Sequence, residues 1–410
     1  MEELKNLKLE VVVMLDKKKI LYETTHNKKF TINVSEPFNS KVVNFLDDFS
    51  NELKKQKKIY NFPDLVYLIF WTNYNKIQEL KNKFTNKNIS LGRGLIFHIC
   101  PSNVPTNFIY SFFFGLLSGN SNIVKIPSKD FPEKKIILFI INKLFQKKKY
   151  LIIKNSNFFI EYDEKTKRTK EISSICDGRV IWGGDKTINE VRKSWIPERS
   201  IEITFSDRYS LSILDLNKLL KRSNREIKFI LRDFFYDSYM MNQSACNSPH
   251  FIFWIGKKNN NFQQKFWNEL NEIVKKRFIL DKKGAFDKYS NLIENIIIQK
   301  NFKNIKRFKN NLYVLDPNKN TKNIENIRGI NGIFFQKNIN SINDLKKFIT
   351  KKCQTITYFG ITKKQIRSFL LKNNLSGIDR VVPIGKGLNI STIWDGYDVI
   401  QSLSRIITIE

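Results

Sequence analysis

The chain has 410 residues and a formal charge of +32, from 71 Lys and Arg against 39 Asp and Glu. Its 41% hydrophobic content supports real cores and excludes a disordered chain, and its length exceeds the roughly 100–200 residues of a typical single domain, so two domains are expected. The basic residues are scattered through a chain crowded with Lys, Asn, Ile and Phe, so compositional bias accounts for the charge and no nucleic-acid partner is expected.

Residues 1–35 alternate like a strand pair. The apolar run Leu9–Leu15 sits between Lys and Glu clusters and reads as a buried strand, so no secretory signal is expected, and no apolar stretch reaches the length of about 20 needed for an integral membrane segment. A cytoplasmic chain is expected. Val42–Lys58 and Pro63–Phe84 carry apolar residues at helical spacing. Leu95–Ile99 reads as a buried strand, followed by a loop at 100–107 and an apolar helix at 108–118. Ile123–Ile126 is a second strand and Lys134–Phe145 an amphipathic helix. Arg179–Trp182 is strand-like and runs into Gly183-Gly184, with a helix over Thr187–Lys193. Near residue 230 the pattern restarts: a helix over Glu226–Tyr239, a loop holding Cys246, a strand at Phe251–Ile255 and a helix over Asn261–Phe278. Strands alternating with helices predict an α/β fold with mainly parallel sheets. The expected domains are 1–230 and 231–395, with 396–410 returning to the first or to an oligomer contact.

Four cysteines stand at positions 100, 176, 246 and 353, too far apart for a zinc pair, and no metal site is expected. Cys246 lies in NQSACNSPH, where small neighbours leave room for a substrate beside a thiolate. A plain buried cysteine is the competing explanation. His250 follows in the same loop, as a candidate proton donor or as a loop support. Asn103, between two prolines in PSNVP, can aim an amide at an oxyanion or simply cap a turn. VIWGGDK joins a strand, two glycines and a helix start, which suits phosphate approach or an ordinary strand-to-helix turn.

Six segments occur in a fixed order: GRGLIFHICPSNVPTNFIYSFFFGLLSGNSNIVKIPSK, DGRVIWGGDKTINEVRK, ITFSDRYSLSILD, NQSACNSPHFIFW, QTITYFG and GIDRVVPIGKGLNISTIWDGYD. From about Leu91 onward the chain resembles the LuxC-type acyl-CoA reductases of the aldehyde dehydrogenase superfamily. That resemblance implies a Rossmann-like cofactor domain joined to an α/β catalytic domain. It implies that Cys246 is the nucleophile and that Asn103, with the backbone N–H of Cys246, forms the oxyanion hole. Lys125 then contacts the adenosine ribose, with Ser128 and Lys129 beside it in the cofactor site. Gly183 and Gly184 lie against the cofactor, and Gln354 or Thr355 falls near the nicotinamide ribose.

Oxidative relatives carry a glutamate that activates water, whereas ITFSDRYS has none at that place, since Glu202 lies earlier. An acyl-enzyme is therefore expected to be reduced and not hydrolysed. The basic Lys129 favours NADPH over NADH by the logic of a 2′-phosphate. The resemblance also implies an acyl-CoA or acyl-protein substrate, an acyl-protein synthetase or transferase as partner, and a homo-oligomer. Competing functions are a short-chain CoA-acylating aldehyde dehydrogenase and a basic non-catalytic binding or scaffold protein.

Overall fold

The structure is a computed structural model that describes residues 20–23, 30–57, 59–84, 88–101, 104–162, 167–299, 302–318, 321 and 323–410. It divides into two compact units. The first runs to Ser206 and takes back Ile390–Glu410, and the second is Asp207–Asn389.

In the first unit the strands are β1 (Ile20–Glu23), β2 (Ile89–Gly92), β3 (Leu95–Ile99), β4 (Ser121–Lys125), β5 (Asn157–Tyr162), β6 (Gly178–Trp182) and β7 (Ile201–Phe205). Its longer helices are α1 (Ser40–Lys54), α2 (Pro63–Thr72), α3 (Tyr74–Lys83), α4 (Asn107–Leu117), α5 (Pro132–Phe145) and α6 (Asp185–Arg192). Six strands form one sheet in the order β1-β5-β4-β3-β6-β7, parallel except for β1. All five residues of β3 are buried, as a central parallel strand covered on both faces requires. Phe108, Phe112 and Phe113 of α4 pack against Phe159 of β5 and Phe49 of α1. That sandwiched position explains why α4 is apolar all round. On the other face, Ile188 and Val191 of α6 join Phe97, Ile123 and Ile181.

The second unit contains β8 (Tyr209–Asp215), α7 (Asn224–Tyr239), β9 (Pro249–Ile255), α8 (Asn260–Arg277), α9 (Lys282–Gln299), β10 (Phe302–Phe308), β11 (Leu312–Pro317), β12 (Ile333–Ile339), β13 (Cys353–Phe359), α10 (Lys363–Asn373) and β14 (Arg380–Pro383). Its seven-stranded sheet has the order β10-β11-β12-β9-β8-β13-β14, parallel except for β10. Phe234 of α7 and Trp267 of α8 cover one face, together with Ile252, Trp254 and Phe334. Leu292 and Phe369 cover the other, with Phe251, Phe253 and Phe335.

Three expectations are revised. The division falls after Ser206 and not near 230, because YSLSILD is a central strand, β8, paired with β9 and β13. No change in composition marks that point. The return begins at Ile390 and not 396, because Trp71 Nε1 donates to the Ile390 carbonyl (3.2 Å) and Trp394, Val399, Ile400 and Leu403 bury in the first unit's core. The final strand, Ser404–Ile407, pairs antiparallel with β2. The helical run over 63–84 is broken at Asn73, whose extended backbone ends α2 and whose side chain caps α3 by accepting from the Lys76 amide. Of the strand pair expected in 1–35, β1 lies among the described residues, residues 30–35 form no strand, and the remainder lies outside the described residues.

Candidate active site

In the first unit the chain leaves β3 for β4 and β5 on one side of the sheet, then crosses back to β6 and β7 on the other. The strand order therefore reverses between β3 and β6. Crevices at the carboxyl ends beside such a reversal are where open α/β sheets bind ligands. Lys125 ends β4, and its Nζ lies 5.0 Å from the ring centroid of Tyr162, which ends β5. Ser128 and Lys129 follow in an exposed turn, with Lys129 Nζ 4.7 Å from the Phe131 ring. Gly183 and Gly184 follow β6, and the Gly183 amide donates to the Phe205 carbonyl at 3.1 Å. Gly184 caps α6 without a side-chain hydrogen bond, and a Cβ built on it meets nothing within 4 Å. Five expected cofactor residues thus share one sheet edge. Asn103 lies outside the described residues.

A buried polar network stiffens that edge from below. His98 of β3 places Nδ1 2.7 Å from Ser111 Oγ and Nε2 2.9 Å from Asn122 Oδ1. Trp182 Nε1 donates to the same Ser111 oxygen at 2.9 Å. Burial holds the imidazole down to about 4, so it is neutral near pH 7. Glu202, which precedes the stretch that lacks the glutamate, is committed elsewhere: it pairs with Arg179 at 2.5 Å and Arg192 at 2.7 Å.

The four cysteines separate clearly. Cys100, Cys176 and Cys353 are buried, and burial pushes their thiols up, to about 12 for Cys176 and Cys353. Such thiols are poor nucleophiles. Cys246 alone is partly exposed, and none of the four is in a disulfide.

Cys246 lies in the turn between α7 and β9, at the amino end of a central strand. Asn242 and Gln243 both adopt left-handed backbone, at φ 52° and 59°. For residues other than glycine this costs of the order of 1 kcal/mol or more each, and it persists only where the surroundings enforce it. Gln243 supplies the enforcement. Its Oε1 accepts from the amides of Gly332 (2.7 Å) and Ile333 (3.1 Å), and its Nε2 donates to the carbonyls of Ile333 (3.1 Å) and Pro249 (3.3 Å). The Cys246 carbonyl accepts from Ser210 Oγ at 2.6 Å, and that hydroxyl oxygen accepts from the Thr355 amide at 3.2 Å. Asn247 Nδ2 donates to the Gly387 carbonyl at 2.8 Å. The backbone is therefore pinned on both sides of the sulfur.

Gln354 is buried at the start of β13, where its carbonyl accepts from the Asp379 amide at 3.0 Å and its Oε1 accepts from Thr355 Oγ1 at 3.3 Å. Ser210 links this strand start to the cysteine loop, so Gln354, Thr355 and Cys246 share one edge of the second sheet. His250 lies in β9 and faces the Gly329 segment. It is buried, its Nδ1 sits 2.7 Å from the Gly329 carbonyl oxygen, and burial followed by the nearby Arg328 charge holds it down to about 3. An imidazole that stays neutral to such low pH is a poor proton donor. None of Gln243, Ser210 and Asn247 is singled out by the sequence: all three stand inside quoted motifs, but their partners are remote in sequence.

Among the described residues no helix is long and apolar enough to cross a membrane, and no group of three metal-ligating side chains occurs. The family profile described as acyl-CoA reductase (LuxC) matches residues 25–406. A long-chain acyl-protein thioester reductase of Vibrio harveyi is 24% identical over 325 residues, 77% of this chain. The match spans 63% of that relative's length. Among solved structures, glyceraldehyde-3-phosphate dehydrogenase GapN from Methanocaldococcus jannaschii, complexed with NADP, aligns over 100% of this chain and 93% of its own with a TM-score of 0.61 at 13% identity. An aldehyde dehydrogenase from Brucella melitensis biovar abortus aligns over 90% and 82% with a TM-score of 0.58 at 11% identity. At such identities the likeness is one of fold, which is aldehyde dehydrogenase-like. With a family match running over nearly all of its length, the chain belongs to the LuxC acyl-CoA reductase family.

Proposed function

We propose that this protein reduces a fatty acyl thioester to the aldehyde through an S-acyl intermediate on Cys246, with NADPH as the cofactor. The observation that carries the reading is the contrast among the thiols: one partly exposed cysteine in a pinned loop, and three buried ones whose ionisation is suppressed.

The Cys246 thiolate attacks the acyl carbonyl. Asn103 and the Cys246 amide hold the oxyanion, where one donor contributes about 3 kcal/mol. Collapse breaks the bond to the carrier sulfur, which leaves as a thiolate and takes a proton from water, and the acyl group stays on Cys246. No glutamate stands in ITFSDRYS to activate water, and Glu202 before it is tied to two arginines, so the thioester is reduced in preference to being hydrolysed. A reduced nicotinamide supplies the hydride equivalent when bound. Cys246 then leaves the resulting thiohemiacetal as a thiolate, and the aldehyde is released. The first unit suits a dinucleotide: an uncapped α6 with open space at Gly184, and basic Lys125 and Lys129 on the same sheet edge. NADH is the alternative that Lys129 disfavours. Gln354 lines the nicotinamide end. The name of the Vibrio harveyi relative supports an acyl-protein thioester as substrate beside acyl-CoA. An acyl-protein synthetase or transferase as donor, and assembly as a homo-oligomer, belong to the same proposal.

Purified protein given long-chain acyl-CoA and NADPH should release aldehyde, with one NADPH oxidised and one free thiol formed per turnover. Activity confined to acetyl- or propionyl-CoA would replace this reading with a short-chain acylating aldehyde dehydrogenase. Absence of any aldehyde would sink it.

A further inference from the structure

Asp237 is buried in the last turn of α7, with 1% exposure. A negative charge there faces the negative end of the helix dipole and is unfavourable without local compensation. Burial also pushes its carboxyl up to about 7. The compensation comes from a loop almost 150 residues away: the Gly385 amide donates to Oδ2 at 2.7 Å and the Gly387 amide to Oδ1 at 2.8 Å. Glycine is required at both places. A Cβ on Gly387 would sit 2.9 Å from Asp237 Cγ. Gly385 has a φ of +84°, and a Cβ there would sit 2.8 Å from Asp233 Cβ. The loop is closed from its other side by Arg380, which donates to the carbonyls of Lys386 (2.6 Å), Gly387 (2.5 Å) and Asn389 (2.7 Å). The Gly387 carbonyl, fixed in this way, is the acceptor for Asn247, the residue after Cys246.

We propose that Asp237 is a positioning residue for Cys246: through the Gly385 and Gly387 amides and the Gly387 carbonyl it fixes Asn247, and with it the backbone that carries the nucleophile. The catalytic meaning of this placement rests on the reductase reading above. The chain of contacts is continuous, from carboxylate to amides, from the same glycine's carbonyl to the Asn247 amide, and from Asn247 to the sulfur-bearing residue. Ser210 holds the opposite flank through the Cys246 carbonyl. The cysteine is thus gripped from β8 on one side and from the Gly385–Gly387 loop on the other. A displacement near 1 Å at a reacting atom can cost about 10²-fold in rate.

The test is Asp237→Asn, which keeps one acceptor oxygen and turns an NH2 toward the second amide. Aldehyde formation from acyl-CoA should fall about 10²-fold in kcat with KM within about threefold. Hydrogen exchange in a peptide covering Ser244–Ser248 should quicken about tenfold, while peptides from β8 and β9 stay protected. Asn247→Ser should change both readouts in the same direction. The double variant should be no worse than the more severe single, since both act on one connection. Unchanged kcat in Asp237→Asn, unchanged exchange around Cys246, or losses that multiply in the double variant would each overturn the proposal. Should the wild-type protein show no reductase activity, the proposed function fails, while the exchange measurement still decides whether Asp237 places the loop.

Discussion

The carboxyl edge of the first sheet and the cysteine loop of the second unit are built on opposite terms. At the first, the residues expected to hold the cofactor are open: Gly184 has empty space over it, and Ser128 and Lys129 are exposed. At the second, the side chains of Gln243, Ser210 and Asn247 around Cys246 are committed to hydrogen bonds within the fold. A diffusible dinucleotide needs amides and cations that are available when it arrives. A nucleophile needs its backbone fixed before the substrate arrives, because orientation gained in advance is not lost at the transition state. Substitutions at the cysteine loop should therefore cost rate or stability, and those at the open edge should shift preference among ligands.

The strongest way to break this contrast is to remove the sulfur. Cys246→Ala should lower aldehyde formation by about 10⁴-fold or more, the scale seen when a covalent nucleophile is deleted, while NADPH binding measured by fluorescence is retained. Next comes the clamp. Gln243→Ala deletes four hydrogen bonds beneath a left-handed backbone, and thermal unfolding should report a loss of about 2–4 kcal/mol. A change within about 0.5 kcal/mol would show that the loop holds itself.

The two buried histidines among the described residues give a similar, pH-dependent effect. Each is held below its ordinary value, His98 to about 4 and His250 to about 3, so the unfolded chain binds protons more readily near pH 5. Their contribution is present above about pH 6.5 and is lost as pH falls toward those values, on the order of 3 kcal/mol each by pH 4. Asp64 and Asp237, each raised to about 7 by burial, act in the opposite sense, losing stability as pH rises from about 4 to 7. Comparing wild type with His250→Asn isolates the first effect: the variant's melting temperature should fall less steeply between pH 6.5 and 4. Equal slopes would contradict the neutral, buried imidazole. The smallest expected effect belongs to the open edge. Lys129→Glu should reduce the preference for NADPH over NADH about tenfold with unfolding unchanged, since an exposed cation tunes choice more than stability.

What the sequence made legible follows from range. β3, α4, β4 and the turn after β6 were readable because a period of apolar residues or a glycine pair is a local signal. The cysteine loop was readable as a loop for the same reason. Its machinery was not, because Gln243 works on Gly332 and Ile333 about 90 residues away, and Asp237 on Gly387 150 residues away. The boundary at Ser206 was hidden for another reason: β7 and β8 are similar apolar strands separated by a few polar residues, so neither composition nor period changes where the chain passes between units. The glycines of IGKGLN stood in a quoted motif, yet only the packing of Gly385 and Gly387 on α7 explains them.

The central claim is that Cys246 carries the acyl group. Incubating the protein with isotope-labelled long-chain acyl-CoA in the absence of reductant, then digesting and mapping by mass spectrometry, tests it directly. One acyl adduct on the Cys246 peptide, discharged as labelled aldehyde when NADPH is added, is the predicted result. An unmodified Cys246, or a label on Cys100, Cys176 or Cys353 instead, would contradict it.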